Sequence, residues 1–266
     1  MHTHTSTVRT AGEHLRDWRQ RRRLSQLDLA HAAEISPRHL SFLETGRSQP
    51  SREMVLRLAE RLEVPPRERN ALLVAAGFAP MFRARALDDP ALEAAKRAIE
   101  RILEAQKPYP AFAVDRHWNI VATNHALSAM YEGVAPELLG PGANAMRLAL
   151  HPKGVAQKID NLAEWRAHLV ARLAQQVANS ADPVLAALLE EVSGYPAPEG
   201  DAHVHDPAAA IAVPLRIRTP MGTLSFISTI TVFGTPVDVT LSELALEQFF
   251  PADAETAGLV SRLAAN

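Results

Sequence analysis

The stretch LSQLDLAHAAEISPRHLSFLETGRSQPS, residues 24–51, holds two short amphipathic segments joined by a tight turn. Ser25 stands where its hydroxyl can cap a first helix by accepting from a backbone N–H that the helix leaves without a partner. Ser36 can cap a second helix whose first position is Pro37, where the missing N–H of proline is not needed. Gly46 then ends the second helix. The stretch therefore predicts two consecutive short helices with a steep change of direction between them.

Three further helices are predicted around this pair, over 12–23, 52–62 and 66–76. In each of them apolar residues recur every three or four positions, which is the spacing of one helix face. Five short helices, with the second and third joined by a tight turn, are typical of an all-α helix-turn-helix domain. We assign this domain to residues 12–78 and expect residues 1–11 to form a disordered tail.

The segments LRDWRQRRRLSQLDLA, ISPRHLSFLETGR, QPS and MVLRLAERLEV resemble the xenobiotic-response-element type of repressor domain, a five-helix, lambda-repressor-like fold. The resemblance implies that the second helix of the pair enters the major groove of double-stranded DNA. Arg38 is then expected to read a guanine through two hydrogen bonds, and Gln26 to bond a phosphate and brace the reading helix. The implied DNA-contacting residues are Gln26, Pro37, Arg38, His39, Ser41, Thr45, Arg47, Ser48 and Gln49.

Charge separates the two halves of the chain. Residues 1–85 hold fifteen arginines, no lysine and nine acidic residues, a net charge of +6, whereas residues 86–266 carry a net charge of −8. Only the first half is therefore expected to meet a polyanion, and we expect the arginines of residues 16–23 to take part. Glu44 is predicted to pair with Arg19 instead of facing DNA, because phosphates would repel its carboxylate.

The composition excludes several classes of protein. The 266 residues contain no cysteine, which excludes disulfides, thiolate metal sites and cysteinyl chemistry. No stretch approaches ~18 uninterrupted apolar residues, and residues 1–10 lack the apolar core of a signal peptide. We therefore expect a cytoplasmic protein with no membrane partner. Nucleotide-binding and nucleophile motifs are also absent from the sequence, so we do not expect an enzyme.

The second half of the chain begins with a connector and a linking helix over 79–106. Apolar runs at 111–115 and 118–123 then predict two strands, and Asn124 precedes a short helix. Helices are expected at 155–179 and 183–192, and further strands at 208–219, 224–234 and 242–250. The sum is an α+β domain over 107–266, in which helices cover one face of an antiparallel sheet.

The segments PAFAVDRHWNIVATNHAL, NLAEWRAHLVARLA and GTLSFISTITVFGTP resemble the PAS-like ligand-binding domain of MmyB-like transcription regulators. The resemblance implies a regulator that responds to a small apolar or amphipathic ligand, such as a fatty-acid-like molecule, without a resident cofactor. The expected ligand-binding residues are Phe112, Trp118, Asn124, Leu127, Tyr131, Trp165, Arg166, His168, Leu169 and Phe226, with Met130 and Phe233 as further liners. Each apolar residue among them could equally be ordinary core, and Asn124 could simply cap the helix that follows it.

Two other functions stay open at this point. The second domain could only dimerise or bind a protein partner, an alternative that the lack of a cavity of about 300 Å3 would favour. A fused enzyme domain is the more remote alternative. A homodimer is expected, because one helix-turn-helix domain covers half of an operator. The linking helix has an apolar face of Leu92, Ala95, Ile99 and Ile102, which would pack on a twin or on its own sheet.

Histidines offer two further possibilities. His203, His205 and Asp206 stand close together in a loop rich in proline and glycine, but the sequence supplies no further ligand for a metal. His125 or His168 could serve as the axial ligand of a haem, although a solvated histidine is the simpler interpretation. We therefore predict no metal site.

Overall fold

In the computed structural model, the described residues are 9–196, 213–234 and 238–264. The chain divides into two compact units, of which the first ends at Arg85 and the second begins at Ala86. Residues 238 and 239 group with the first unit. The segment predicted as connector and linking helix is therefore divided, and its helix belongs to the second unit.

The described part of the first unit contains the five helices that the sequence predicts. They are α1 (Ala11–Arg21), α2 (Gln26–Ala32), α3 (Pro37–Glu44), α4 (Arg52–Arg61) and α5 (Pro66–Ala75). The first four are capped by Thr10, Ser25, Ser36 and Ser51, whose side chains each accept from the backbone N–H three residues later. These caps satisfy N–H groups that have no partner inside the helix, and they explain why the helices begin where the sequence places them.

The core of the first unit is built from leucines that the helices direct inward. Leu15 of α1, Leu40 of α3 and Leu58 of α4 have no exposed surface. The backbones of α1 and α3 approach each other at Gly12, where a Cβ atom would stand 2.3 Å from the carbonyl oxygen of Leu43. This close packing buries one side of α3 and leaves its other side to solvent.

The second unit contains a five-stranded antiparallel sheet in the order β2-β1-β5-β4-β3. The strands are β1 (Ala111–Val114), β2 (Ile120–Thr123), β3 (Leu215–Thr219), β4 (Gly222–Val232) and β5 (Ala245–Pro251). The last strand in the chain, β5, lies at the centre and pairs with β1 on one side and β4 on the other.

Helices lie against both faces of this sheet. They are α6 (Glu93–Ala105), α7 (Ala145–Leu150), α8 (Leu162–Ser180), α9 (Pro183–Ser193), α10 (Val239–Ser242) and α11 (Ala254–Ala264). The face that carries Phe112, Phe226 and Phe249 packs against side chains of α7, α8 and α9. On the opposite face, Ile99 and Leu103 of α6 pack against alanines of β1 and leucines in and before β5. The α+β class is confirmed. The prediction that helices cover one face is wrong, because the linking helix packs on the other face of its own sheet.

The helix predicted over 155–179 is interrupted. A 3-10 turn at Val155–Lys158 is followed by α8, which begins only at Leu162. Between them, the N–H of Asp160 donates to a carbonyl of β3 at 2.9 Å, and the Asn161 amide donates to the carbonyl before β3 at 2.8 Å. Pairing with a distant strand therefore overrides the local helical pattern.

Three strands differ from their predicted runs. β2 is shorter than the run at 118–123, because Trp118 has φ +67° and stands in the turn that precedes the strand. β5 begins later than the run at 242–250, because α10 comes first. Of the run at 208–219, β3 forms the end, and residues 208–212 lie outside the described residues. α7 and α11 have no counterpart among the predicted elements.

Candidate DNA-binding surface and ligand cavity

The exposed side of α3 carries two arginines gathered around one aromatic ring. The guanidinium carbons of Arg38 and Arg47 lie 5.4 Å and 5.9 Å from the centre of the Phe42 ring. Such cation–π contacts position a guanidinium without using its N–H donors. Pro37 and Arg38, at the N-terminal end of α3, are exposed to solvent. This side of α3 therefore presents two positive charges in defined positions.

The other predicted DNA contacts lie at the start of α2, on α3 or in the turn after α3. His39, Ser41 and Ser48 are half-buried, whereas Thr45 and Gln49 are exposed. The Thr45 hydroxyl donates to the Ser41 carbonyl at 2.7 Å, and the N–H of Ser48 donates back to a carbonyl of α3 at 3.1 Å. These two bonds hold the turn against the helix.

Glu44 joins the first three helices through its buried carboxylate. Arg19 of α1 donates to both carboxylate oxygens, from Nε at 2.6 Å and from Nη2 at 2.9 Å. Gln26 of α2 adds a bond from Nε2 to Oε2 at 2.8 Å. The hydrogen bonds that Arg19 donates to Glu44 raise the pKa of Arg19 above the usual range. The predicted pair of Arg19 and Glu44 is confirmed, and Gln26 braces α3 through the same carboxylate.

The arginines of residues 16–23 do not share one role. Arg22 donates to two backbone carbonyls just after α4, and its guanidinium lies 5.3 Å from the centre of the Trp18 ring. Arg19 and Arg22 are therefore engaged in contacts within the unit. The exposed members of the group are Arg16, Arg21 and Arg23.

The second unit contains a cavity of about 60 Å3 between the sheet and the helices. Seven of the predicted liners do lie in its wall: Phe112, Trp118, Leu127, Met130, Tyr131, Trp165 and Leu169. Side chains of α7, of the turn before α8, and of β3 and β5 complete the wall, and most of them are apolar. The volume is well below the ~300 Å3 of a typical ligand pocket, so a ligand larger than a few atoms requires the walls to move.

Asn124 does not line the cavity. Its Oδ1 accepts from the N–H of Ala111 at 3.1 Å, and its Nδ2 donates to the carbonyls of Leu103 and Tyr109 at 3.1 Å and 2.8 Å. The side chain makes no capping bond to the 3-10 helix His125–Tyr131 that follows. Asn124 therefore joins α6 to the start of the sheet. It neither lines the cavity nor caps the helix that follows, which were its two predicted roles.

Arg166 and His168 on α8 also lie outside the cavity wall. The Nη2 of Arg166 donates to a carbonyl at the end of α9 at 2.6 Å, and its Nε is buried without a partner among the described residues. His168 stacks on Trp165, with ring centres 5.5 Å apart. Burial, together with the nearby charge of Arg172, lowers the pKa of His168. Both side chains stabilise the helix packing around the cavity.

Phe226 and Phe233 are packing residues. Phe226 is fully buried, with its ring edge-on to Phe249 at 6.2 Å between centres. Phe233 packs with the cluster under α6, on the opposite face of the sheet from the cavity. For these two, the interpretation as ordinary core is the one that the structure supports.

Glu247 is the polar residue of the cavity that the sequence analysis missed. It lies in the central strand β5, is 4% exposed, and contributes to the cavity wall. Burial raises the pKa of Glu247, and the Arg172 charge opposes that rise; burial in turn lowers the pKa of Arg172. The available signal was an acid two residues before Phe249 in an apolar strand, where both side chains point to the same face.

Trp118 forms the wall next to this carboxylate. Its left-handed backbone, at φ +67°, is held by an Asp115 turn whose carboxylate accepts from the N–H groups of His117 and Asn119 at 2.8 Å and 2.9 Å. The indole N–H donates to the Gln176 side chain at 2.7 Å. A bulky residue in this conformation is strained, and such strain is often kept where a side chain must be aimed.

The described part of the chain contains neither a cluster of metal-ligating side chains nor a helix that could span a membrane. Within residues 9–196, 213–234 and 238–264, no three metal-ligating side chains come together. His203, His205 and Asp206 lie outside these ranges. None of the helices described in these ranges combines the length and the apolar character needed to cross a bilayer.

Two family models match the chain. The model of the MmyB-like transcription regulator ligand binding domain matches residues 95–263. The chain belongs to the MmyB-like transcription regulators. A second model, of a helix-turn-helix domain, matches residues 10–72 of this family member. The first match begins in α6 and ends in α11, and the second runs from the cap of α1 into α5.

Named relatives of this MmyB-like chain are also regulators. Uncharacterized HTH-type transcriptional regulators of Mycobacterium tuberculosis and Mycobacterium bovis are each 33% identical to it over 126 residues. The match covers 47% of the chain, which spans only 42% of the length of those relatives.

Two solved structures also match the chain. The crystal structure of the clp gene regulator ClgR from Corynebacterium glutamicum is 28% identical, covers 37% of this chain and 90% of its own, and has a TM-score of 0.23. The structure of an RNA-binding Light-Oxygen-Voltage receptor is 14% identical, covers 98% of this chain and 65% of its own, and has a TM-score of 0.25.

Proposed function

We propose that the chain binds double-stranded DNA in the cytoplasm, reads a specific sequence with α3, and so regulates transcription. The observation that carries the proposal is the placement of Arg38 and Arg47 around Phe42 on the exposed side of α3. The opposite side of α3 is anchored by Leu40 and by the bonds to Glu44. A helix held firmly on one side and cationic on the other suits insertion into a major groove.

The proposed contacts divide into base readers and phosphate binders. Arg38 lies at the exposed N-terminal end of α3, which is the end that meets base edges in this type of docking. His39 and Ser41 are expected to assist Arg38. Gln26 uses one of its two amide N–H groups for Glu44, and the other is available to a phosphate. The expected phosphate contacts also include Thr45, Arg47, Ser48 and Gln49, which fix register without specifying sequence.

Substitution of Arg38 tests the proposal. Arg38→Ala should weaken binding to a DNA site selected from random duplexes by about 1–3 kcal/mol and relax the sequence preference, because two hydrogen bonds to a guanine are lost. Arg38→Lys is the matched control, since it keeps the charge but cannot form the same pair of bonds. Competition binding with selected and random duplexes measures both effects. If Arg38→Lys retains the full preference, Arg38 acts only through its charge and the reading role is wrong.

For the second unit we propose that a small apolar or amphipathic ligand occupies the cavity and favours one arrangement of the DNA-binding units. Such a ligand acts by binding two states of the protein with unequal affinity. The apolar wall supports this role, and Met130 and Met146 in that wall are flexible side chains that can yield to a guest. We assign the chain no catalytic step.

The volume of the cavity favours a second candidate for this unit. At about 60 Å3, it falls short of the ~300 Å3 expected of a preformed pocket. In the alternative, the second unit only dimerises or binds a protein partner, and the cavity is a packing defect. Native mass spectrometry of the purified protein distinguishes the two, because a co-purified small molecule supports the ligand role. A full-length protein that binds none of a set of apolar probes supports the alternative.

A further inference from the structure

One carboxylate stands in the wall of an otherwise apolar cavity. Among the described residues that line the cavity, Glu247 alone carries a charge. It lies on the same face of the sheet as its cross-strand neighbour Phe112, which also lines the cavity. Charged side chains are rarely buried in an apolar wall, and a few polar groups usually orient the ligand of such a pocket. We therefore expect the polar end of a ligand to contact Glu247.

The carboxylate of Glu247 is paired, but weakly. The Nη1 atom of Arg172 lies 3.4 Å from both of its oxygens, whereas a strong bond between guanidinium and carboxylate measures about 2.7–2.9 Å. Arg172 is held on its other side by Trp118, with the guanidinium carbon 4.3 Å from the centre of the ring. The carboxylate oxygens, which have several lone pairs, therefore have room for another donor.

Arg172 does not itself line the cavity. A ligand that enters the cavity therefore reaches Glu247, whereas Arg172 lies outside the cavity wall. Next to the charge of Arg172, an ionised Glu247 presents only hydrogen-bond acceptors, so a donor on the ligand would complete the hydrogen bonding of this buried group. The geometry therefore favours a ligand whose polar end donates a hydrogen bond.

Charge narrows the choice of donor further. Glu247 and Arg172 together are neutral, and both are shielded from water, at 5% and 17% side-chain exposure. An anionic head group would place two carboxylates beside one guanidinium. A cationic head group would leave an unbalanced positive charge next to Arg172 in a poorly solvated site. A neutral donor keeps the pair balanced and avoids the desolvation of a third charge.

We propose that the cavity of the second unit takes a neutral amphiphile, an apolar chain whose hydroxyl or amide N–H donates to Glu247. This proposal rests on the proposed ligand function and specifies the head group of the ligand. It differs from the fatty-acid-like ligand that the family resemblance leads one to expect, because an ionised fatty acid would bring a second carboxylate to Glu247.

Tyr131 marks the route by which such a molecule enters. Its side chain lines the cavity and also an outer groove formed with Ile120, Ser128 and Leu139. Burial raises the pKa of Tyr131, so its hydroxyl stays protonated at neutral pH. A rotation of this ring would join the groove to the cavity and add the volume that a chain of several carbons needs.

A series of probes with one chain and three head groups tests the proposal. We expect 1-decanol to bind the full-length protein at pH 7 at least about tenfold more tightly than decanoate or decylamine, because only the alcohol donates without adding charge. Binding is followed by tryptophan fluorescence, since Trp118 and Trp165 line the cavity. Trp18 lies in the first unit and supplies a constant background.

The Glu247→Gln variant makes the test specific. It keeps the size of the side chain but leaves Arg172 without a carboxylate, so decanoate should gain affinity and decanol should lose its advantage. A double variant, Glu247→Leu with Arg172→Met, replaces the pair with apolar groups and keeps the packing. It should bind the alcohol and the acid with similar affinity. Circular dichroism of both variants shows whether they are folded.

The outcomes separate this proposal from the ligand function itself. If decanoate or decylamine binds the natural protein most tightly, the neutral head group is wrong and the ligand function stands. If the three probes bind but Glu247→Gln leaves their order unchanged, Glu247 does not select the head group. If no probe binds, both the head group and the ligand function are contradicted, and the second unit is better explained by protein contacts.

Discussion

Gly12 in α1 has no side chain because the backbone of α3 passes where a Cβ atom would be. A Cβ built there stands 2.3 Å from the carbonyl oxygen of Leu43 and 2.8 Å from that of Glu44. Both neighbours are backbone atoms, so the helices themselves would have to separate. The position of α3, and with it the position of Arg38, depends on this glycine.

We therefore predict that Gly12→Ala destabilises the first unit by about 1–3 kcal/mol, the usual range for overpacking. The sign is informative, because the same substitution in a helix without close neighbours stabilises by about 0.4–1 kcal/mol. Urea unfolding followed by circular dichroism measures the change. Gly140→Ala is the control, since nothing lies within 4 Å of a Cβ at that position and its φ is not positive. A stabilising Gly12→Ala would show that α1 and α3 are not in close contact.

Two buried glutamates show where sequence analysis succeeds and where it fails at this scale. Glu44 was predicted to be structural, because it lies among residues expected to face phosphates, which would repel it. For Glu247, the neighbouring residues do not predict an ion pair, because its partner Arg172 lies 75 positions away in the sequence. A charged residue is interpretable from sequence when its neighbours along the chain conflict with its charge, and not when only a distant partner explains it.

Among helices and strands, those of the first unit are set by local signals, whereas those of the second unit depend on distant contacts. The helices of the first unit are set by signals within each segment, such as the serine caps and Pro37 at the start of α3. Their bounds were predicted to within two residues for α1, α4 and α5. The surface of α3 could be predicted for the same reason, because a helix face follows from spacing alone.

Elements of the second unit depend on contacts between distant segments. The break before α8 arises because Asp160 and Asn161 bond to β3 and its preceding residue, and neither residue alone signals a break. The apolar face of α6 fits a twin or the sheet equally well by its spacing. Only the packing of Ile99 and Leu103 on the sheet decides between them. Four of the ten expected ligand-binding residues, including Asn124, lie outside the cavity wall, because their positions also depend on contacts between distant segments.

At the scale of the whole molecule, the proposal requires two copies of the chain. One helix-turn-helix unit covers a half-site, and two half-sites lie about 10–10.5 base pairs apart in operators of this type. The face of α6 that was expected to join two copies is used within the second unit, so another surface must make the contact. Light scattering of the full chain should give twice the mass of 29.0 kDa. A mass of 29.0 kDa, combined with binding to a symmetric site without cooperativity, would contradict the homodimer.

The dependence of DNA binding on salt tests the central claim most directly, because contacts between arginines and phosphates release counterions. A dimer that makes about six phosphate contacts should lose about a thousandfold in affinity between 50 and 200 mM salt. The measurement is a titration of the full chain on the DNA upstream of its own gene, with a random duplex of equal length alongside. We predict a steep linear fall of log affinity with log salt, and tighter binding to the upstream duplex throughout. A flat slope, or no binding to either duplex at low salt, would contradict the account.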